Sequence, residues 1–305
     1  MANNTGKKFK ARVLAIALFG FVLTAGGGNI PAVYVAGYYF NNGYRIPCYW
    51  KNGTRYDLSL PGGVIGGEAY SIAVSGDSVY AAGYYISVSG EPAACYWNNG
   101  TRIDLTDGTT GGEAWSVAVP GDSVYVAGYY ADAGNSIPCY WNGGTRYDLP
   151  LPDGVAGGEA ASIAASGGSV YAAGYYADAG DTVPCYWKDG ERADLSLPGK
   201  TGNGQAASIA VSDGSVYAAG YYFSAGDTVP CYWKDGERYD LPGGNGEVAK
   251  SVAVSGGSVY LAGSYFNAGN PVPCYWEDGI KADLSLPGEA TDGFAYSVAV
   301  SGGSV

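Results

Sequence analysis

One repeated position in this chain carries side chains of very different chemistry. It is the x position of the recurring segment Ala-x-Ser-Ile/Val-Ala, and in chain order its residues are Tyr70, Trp115, Ala161, Ala207, Lys250 and Tyr296. Aromatic rings beside an open space can stack on a sugar ring or on an aromatic side chain. We predict that the arc Lys250, Tyr296, Tyr70 and Trp115 faces the two alanines and forms a one-sided ligand-binding groove. The alternative is that the x position tolerates drift and has no role in binding.

Catalytic chemistry has few candidate residues in this sequence. The chain contains no His, which excludes Ser-His and Cys-His nucleophilic catalysis and His-based metal sites. Glu68, Glu113 and Glu159 stand at matching places in three successive repeats, and two carboxylates about 5–9 Å apart can hydrolyse glycosides. Because repetition at a symmetric position favours a structural role, we predict a binding protein with no catalytic residue, metal or cofactor. A glycan-active enzyme that uses these acids is one alternative, and a lectin-like array with one weak site per repeat on Gly-Tyr-Tyr is another.

The elements that must position these residues are repeats of about 45 residues. The cysteines of Pro-Cys-Tyr-Trp or Ala-Cys-Tyr-Trp lie 47, 44, 46, 46 and 43 residues apart, at Cys48, Cys95, Cys139, Cys185, Cys231 and Cys274. Each repeat contains four short strand-like runs, and Asn-Gly or Asp-Gly between two of them is a strong hairpin signal. Four antiparallel strands at this period are typical of a β-propeller blade. The sequence therefore predicts an all-β fold.

Counting the runs predicts six blades. The chain opens on a second strand near Val33 and closes on a first strand at residues 295–300. If these two strands pair, both termini complete one blade and the ring is closed. We predict this closed six-bladed β-propeller over residues 33–305. The alternative is a truncated piece of a longer propeller, because residues 301–305 resemble the start of another turn and strand.

The N-terminal residues predict export. Lys7, Lys8, Lys10 and Arg12 precede an apolar run at residues 13–25, followed by three glycines. This order is typical of a secretory signal peptide, and the run is short for a membrane span. We assign residues 1–26 to a signal peptide and 27–32 to a short linker, with an uncleaved anchor as the alternative. Gly26 stands where a bacterial lipoprotein signal would place cysteine, so we predict no lipid anchor and a location in the periplasm, at the cell surface or outside the cell.

The charge balance restricts the partners. The chain has a net charge of −12, and its first 26 residues hold four basic residues and no acid, which leaves −16 for the remainder. Because such a body repels phosphates, neither nucleic acid nor anionic lipid is expected as a partner. No insertion into a membrane is expected after signal cleavage. We predict a monomer that binds a protein or a glycan. The ligand is expected on the face of the ring that carries the loops of variable sequence, called here the variable-loop face, at residues 59–67, 106–112, 196–204 and 285–293.

Residues that recur in every repeat are interpreted as scaffold. The tryptophan after each Cys-Tyr is predicted to pack between blades, and the aspartate of each fourth strand is predicted to bond a nearby turn. Equivalent cysteines in neighbouring blades would lie about 16 Å apart if strands are spaced ~4.8 Å. A disulfide needs Cα atoms closer than about 7 Å. The six cysteines are therefore predicted to be free and buried.

The repeats read Val-Tyr-x-Ala-Gly-Tyr-Tyr and then Tyr-Trp-Lys-Asn-Gly, or close variants of these. Over about residues 33–305 they resemble the repeats of bacterial exported β-propeller proteins of uncharacterised function. The resemblance implies the propeller fold and export, and it implies no activity. Kelch and WD-type propellers are similar in architecture alone.

Overall fold

The computed structural model describes residues 32–199, 203–243, 246–288, 290 and 292–300. The predicted signal peptide and all of the linker except its last residue lie outside the described residues. The described chain is built from strands in six antiparallel sheets, one of three strands and five of four. Within it, no helix has the length and apolar character needed to cross a membrane.

The sheets follow one another along the chain and are called blades 1 to 6. In each blade every strand pairs with its neighbour in sequence. Blades 1 to 3 consist of β1 (Tyr34–Asn41), β2 (Tyr44–Lys51) and β3 (Thr54–Asp57); β4 (Gly67–Ser75), β5 (Ser78–Ile86), β6 (Pro92–Asn98) and β7 (Thr101–Asp104); and β8 (Gly112–Ala118), β9 (Tyr125–Asp132), β10 (Asn135–Asn142) and β11 (Thr145–Asp148).

Blades 4 to 6 repeat the pattern of blades 2 and 3. They consist of β12 (Gly157–Ser166), β13 (Ser169–Asp178), β14 (Asp181–Lys188) and β15 (Glu191–Asp194); β16 (Gly204–Ser212), β17 (Ser215–Ser224), β18 (Asp227–Lys234) and β19 (Glu237–Asp240); and β20 (Val248–Ser255), β21 (Ser258–Asn267), β22 (Asn270–Glu277) and β23 (Ile280–Asp283). The first strand of each four-stranded blade is the inner strand, and the fourth is the outer strand.

The predicted hairpin turn between the last two strands of a blade is present. In blade 2, Asn99 and Gly100 both have positive φ, at 50° and 82°, which is the conformation that Asn-Gly favours. The Asn99 side chain also accepts a hydrogen bond of 2.9 Å from the backbone nitrogen of Val79. The turn residue thus fixes the start of the second strand as well as the hairpin.

The repeated tryptophans pack between blades, as predicted. Trp187 is 1% exposed, and its indole nitrogen donates a 2.9 Å hydrogen bond to the Pro150 carbonyl at the end of the preceding blade. Four further members of the set are equally buried: Trp97, Trp141, Trp233 and Trp276. The six cysteines are free and buried, which confirms that prediction, and burial raises the pKa of each thiol.

The prediction for the outer-strand aspartates is wrong in its partner. Asp194 accepts from Arg192 Nε at 2.9 Å and from the Tyr176 hydroxyl at 3.2 Å, and the Arg192 guanidinium lies 5.0 Å from the centre of the Tyr176 ring. Both partners belong to strands of the same blade, and neither is in a turn. Since alternate residues of a strand face the same side, Arg-x-Asp brings both charges to the tyrosine.

Serine side chains join the inner strands of successive blades. Ser116 Oγ, for example, accepts a 3.2 Å bond from the backbone nitrogen of Ile163 in the next blade. The same bond runs from Val117 to Ser71, from Ile209 to Ser162, from Val252 to Ser208 and from Val298 to Ser251. The last of these places residues 292–300 beside β20, where the next inner strand is expected.

Closure of the ring through the termini is not confirmed. Residues 292–300 belong to no strand, and blade 1 has three strands. The packing at this seam also differs from that between the other blades: Leu284 is 40% exposed whereas the equivalent Leu241 is 4% exposed. Trp50 in blade 1 is only half-buried. The contacts that bury a leucine and a tryptophan between other blades are therefore reduced between blades 6 and 1.

Candidate functional site

A cavity of about 870 Å³ lies among the inner strands. Its walls come from β4, β8, β12, β16, β20 and residues 296–300, so it follows the axis around which the blades are arranged. We call it the axial cavity. Each inner strand begins at the variable-loop face, and the x position lies near that beginning. The end of the cavity at this face is called its mouth.

The x position is a β-bulge in every four-stranded blade. In blade 4 the pairing of β12 with β13 passes from Ala160 to Ser162, so Ala161 is the extra residue without a partner. The same shift occurs at Tyr70, Trp115, Ala207 and Lys250. A bulge frees a residue from the ladder and redirects its side chain, and bulges are common beside active sites. The bulge cannot be recognised from the sequence alone, because it depends on how the two strands pair.

Three of the four predicted arc residues line the axial cavity together. Trp115, Lys250 and Tyr296 are in its wall, with Ala161 and Ala207 in the same wall. Tyr70 is 7% exposed and lies behind this surface. Its ring stacks on the Trp115 indole with centroids 4.7 Å apart and an interplanar angle of 14°. Tyr70 therefore supports Trp115 from the neighbouring blade and does not form part of the cavity wall.

Three acids at the mouth are paired with tyrosines. Glu68, Glu113 and Glu159 each stand directly opposite the first tyrosine of the next strand's Gly-Tyr-Tyr. The Tyr84 hydroxyl donates to Glu68 at 2.8 Å, and the Tyr129 hydroxyl donates to Glu113 at 3.2 Å. The carboxylates thus have partners within the scaffold, and the sequence analysis missed this pairing.

Blade 6 contained the signal that could have revealed this pairing. Where other blades have an acid or amide opposite tyrosine, blade 6 has Val248 opposite Ser264. In blade 5 the pair is Gln205 opposite Tyr221. The polar group and the tyrosine are lost together in one repeat, as expected for two residues that depend on each other.

The electrostatics of the three acids differ. Burial raises the pKa of Glu113, and the nearby carboxylates of Glu159 and Glu68 raise it further, while hydrogen bonds from Tyr129 and Tyr70 oppose the shift. Burial also raises the pKa of Glu159, against a hydrogen bond from Tyr175. Glu68 is instead ion-paired with Arg45. Glu159 alone of the three lines the axial cavity.

Lys250 is a basic residue of the cavity wall, and its pKa is shifted in the direction opposite to that of the two acids. Burial lowers its pKa, because removing the ammonium from water disfavours the charged form. The residue is half-buried and lies at the bulge of β20. The cavity therefore combines one basic side chain, one acidic side chain, aromatic rings and an alanine-lined space.

Comparison with solved structures identifies the architecture. The β-propeller domain of the Trilobed protease from Pyrococcus furiosus, described as having an open velcro topology, matches with a TM-score of 0.50 and 13% identity over 83% of this chain and 78% of that one. TolB from Acinetobacter baumannii matches with a TM-score of 0.50 and 14% identity over 85% of this chain and 64% of that one. The fold is a β-propeller. Searches against protein-family models and curated proteins found no match.

The prediction that the protein is not an enzyme is withdrawn as wrong. The matching structures include a puromycin hydrolase, with a TM-score of 0.49 and 12% identity over 72% of this chain and 39% of that one. At such identity the likeness concerns the fold, and it does not show that this chain is an enzyme.

Proposed function

We propose that this chain is an exported binding protein of the bacterial cell envelope that takes its ligand into the mouth of the axial cavity. Export is supported by the basic and apolar order of residues 1–25. The cavity volume of about 870 Å³ falls within the range of small-molecule sites. A glycan segment or a side chain of a protein partner would fit this space.

The observation that carries the proposal is the variation at the bulge. The bulge redirects the x residue in five blades, and its residues range from alanine to tryptophan. Scaffold positions of the same repeats keep one residue type, as the six tryptophans after Cys-Tyr show. A binding site on a repeat protein is expected where the blades share one backbone feature, here the bulge, but present different side chains from it.

The indole of Trp115 is the proposed stacking surface for a ring of the ligand. One of its faces is covered by Tyr70, so a ligand uses the other face or the edge. Ala161 and Ala207 in the same wall leave room for the ring. The array with one site per blade is less well supported, because the second tyrosine of Gly-Tyr-Tyr is buried in several blades, as at Tyr85, Tyr176 and Tyr222.

A matched pair of variants tests the site. Trp115→Ala introduces the residue that blades 4 and 5 carry at the x position, and Tyr147→Ala introduces the residue that blades 4 and 6 carry in the outer strand. Both remove one ring from a stacked pair. Calorimetric titration with a panel of neutral and acidic oligosaccharides is expected to give one site per chain, lost in Trp115→Ala and kept in Tyr147→Ala. About six sites, or equal loss in both variants, would contradict the proposal.

A second candidate function is turnover of a bound glycan. Glu159 favours it, because this acid lines the cavity and burial raises its pKa, as for a general acid. Incubation with the same panel, followed by analysis of released sugars, is the test. Turnover lost in Glu159→Gln with binding retained would support this candidate, and unchanged glycans throughout would reject it.

A further inference from the structure

Lys250 differs from the other basic side chains in its partners. In the described part of the chain, six bases form ion pairs with acids of the scaffold: Arg45, Arg55, Arg102, Arg146, Arg192 and Arg238. Lys281 pairs with Glu247. Lys51, Lys188 and Lys234 lie 5.2 to 5.5 Å from the centre of a tyrosine ring. Lys250 is the one base of the described residues with neither kind of partner.

This arrangement is unfavourable for the scaffold alone. An ammonium that is partly removed from water without a counter-charge costs free energy. The chain has 28 acids against 16 bases, and seven of the other ten described bases form an ion pair with a scaffold acid. Blades 4 and 5 show that alanine serves at the same bulge. The scaffold therefore does not need a cation at residue 250.

The other residues of the cavity wall indicate which further groups a ligand in this cavity would carry. Trp115 and Tyr296 offer aromatic surface, and Ala161 and Ala207 leave space between the larger side chains. Glu159 and Gln205 provide polar groups that can accept or donate hydrogen bonds. Blade 3 and blade 6 stand three steps apart around the axis, so a ring at Trp115 and an anion at Lys250 would contact opposite sides of the cavity.

We propose that the axial cavity binds a ligand that carries a carboxylate on a ring, with the carboxylate paired to Lys250 and the ring held against Trp115. The proposal rests on the proposed function and specifies its ligand. A uronic acid residue of a glycan and an aromatic carboxylate share this chemistry. An ammonium–carboxylate bond in a partly desolvated site is stronger than a neutral one, so the carboxylate determines which ring is selected.

Two pairs of probes separate the carboxylate from the ring. The first pair is a disaccharide of glucuronic acid and glucose with a disaccharide of glucose alone, and the second is benzoate with benzyl alcohol. Each is titrated into the full chain and into two variants that remove one positive charge, Lys250→Met and Lys188→Met. Lys188 is exposed and lies against Tyr171, so its variant controls for the change in net charge.

The acidic member of at least one pair is expected to bind at least tenfold more tightly than its neutral partner. This preference is expected to fall to about one in Lys250→Met and to persist in Lys188→Met. The pair that shows it identifies the sugar or the aromatic acid as the source. Equal binding of acidic and neutral members, or a preference that survives in Lys250→Met, would overturn the inference.

The same titrations distinguish the two proposals. If the neutral probes bind as well as the acidic ones and this binding is lost in Trp115→Ala, the role of Lys250 is overturned and the proposed function stands. No binding of any probe at millimolar concentration would count against both proposals.

Discussion

The two tyrosines of Gly-Tyr-Tyr have different surroundings, although they are neighbours in one strand. The second tyrosine faces an aspartate of the outer strand in blade after blade, as Tyr39, Tyr130, Tyr176, Tyr222 and Tyr265 show. The first tyrosine faces the inner strand, where its partner changes from Glu68, Glu113 and Glu159 to Gln205. In blade 6 the pair is Ser264 and Val248.

The two tyrosines therefore meet different requirements within one repeat: one bonds the outer strand and the other bonds the inner strand. Successive residues of a strand face opposite sides of a sheet, so one dipeptide can serve both. The outer side repeats the same contacts, because every blade needs the same internal bonds. The inner side varies around the axis, because a ligand in a single cavity meets a different blade in each direction. The argument for function at the axis is that these inner-strand residues vary around one shared cavity.

The strongest test of the uniform side is removal of a buried tryptophan. Trp187→Ala is expected to lower the free energy of unfolding by about 3–5 kcal/mol, since a fully buried ring and its bond to Pro150 are lost. Urea denaturation followed by circular dichroism measures it. Trp50→Ala, at the half-buried position of blade 1, should cost clearly less. Equal costs would show that the seam between blades 6 and 1 is packed like the others.

The outer aspartates should behave alike in every blade. Asp148→Ala, Asp194→Ala and Asp240→Ala are each expected to cost about 0.5–1 kcal/mol, because the lost ion pair with arginine is partly exposed. High salt should reduce the cost, which the same denaturation experiment shows. A change of more than tenfold in ligand affinity for any one of them would place function on the outer side.

The acid pairs of the inner side should show a pH dependence. The folded pKa of Glu159 is raised by burial, so its carboxyl group is protonated in the folded state at a pH where the unfolded chain has already ionised. Wild-type stability therefore falls as the pH rises from about 4 toward the raised value. Glu159→Gln, which copies Gln205 of blade 5, cannot lose stability in this way.

The measurement is the difference in unfolding free energy between Glu159→Gln and wild type across this range. It should increase in favour of the variant from pH 4 to pH 7. A difference that stays constant would mean that the carboxyl group of Glu159 titrates as it does in the unfolded chain.

Lys250 should show the reverse dependence, with the smallest effect on stability. Burial lowers its folded pKa, so the charged lysine destabilises the fold below that value, and the penalty disappears as the pH rises toward the ordinary lysine value of about 10.4. Lys250→Met is expected to be slightly more stable than wild type at pH 7, with the advantage shrinking by pH 10. Thermal unfolding of both proteins over this range measures it, and an advantage that grows with pH contradicts it.

Much of the fold could be predicted from the repeat itself. The period of the cysteines, the Asn-Gly turns and the place of Trp187 are local patterns, and local patterns determine strands and hairpins. The free state of the cysteines could be predicted from the repeat symmetry, which places equivalent positions too far apart for a disulfide. The hydrogen-bond partners of Asp194 were not predicted. The sequence pattern does not show whether this carboxylate bonds a turn or instead bonds Arg192 and Tyr176.

The site and the closure of the ring were predicted less completely for three physical reasons. The bulge at Ala161 depends on the register between β12 and β13, and register is a property of the paired strands. The burial of Tyr70 depends on Trp115 of the next blade. Closure depends on packing at the seam, where Leu284 and Trp50 remain partly exposed. Strand pairing within a blade decides the first, and packing between blades decides the other two.

The most direct test of the account fills the axial cavity. Ala161→Trp places at blade 4 the residue that blade 3 carries at the same bulge, and Ala193→Tyr places on the outer strand the residue that blades 1, 3 and 5 carry there. Both variants should fold with wild-type stability to within about 1 kcal/mol. Calorimetric titration with the best-bound oligosaccharide is predicted to show at least tenfold weaker binding to Ala161→Trp and unchanged binding to Ala193→Tyr. Wild-type affinity in a folded Ala161→Trp protein would contradict the assignment of function to the axial cavity.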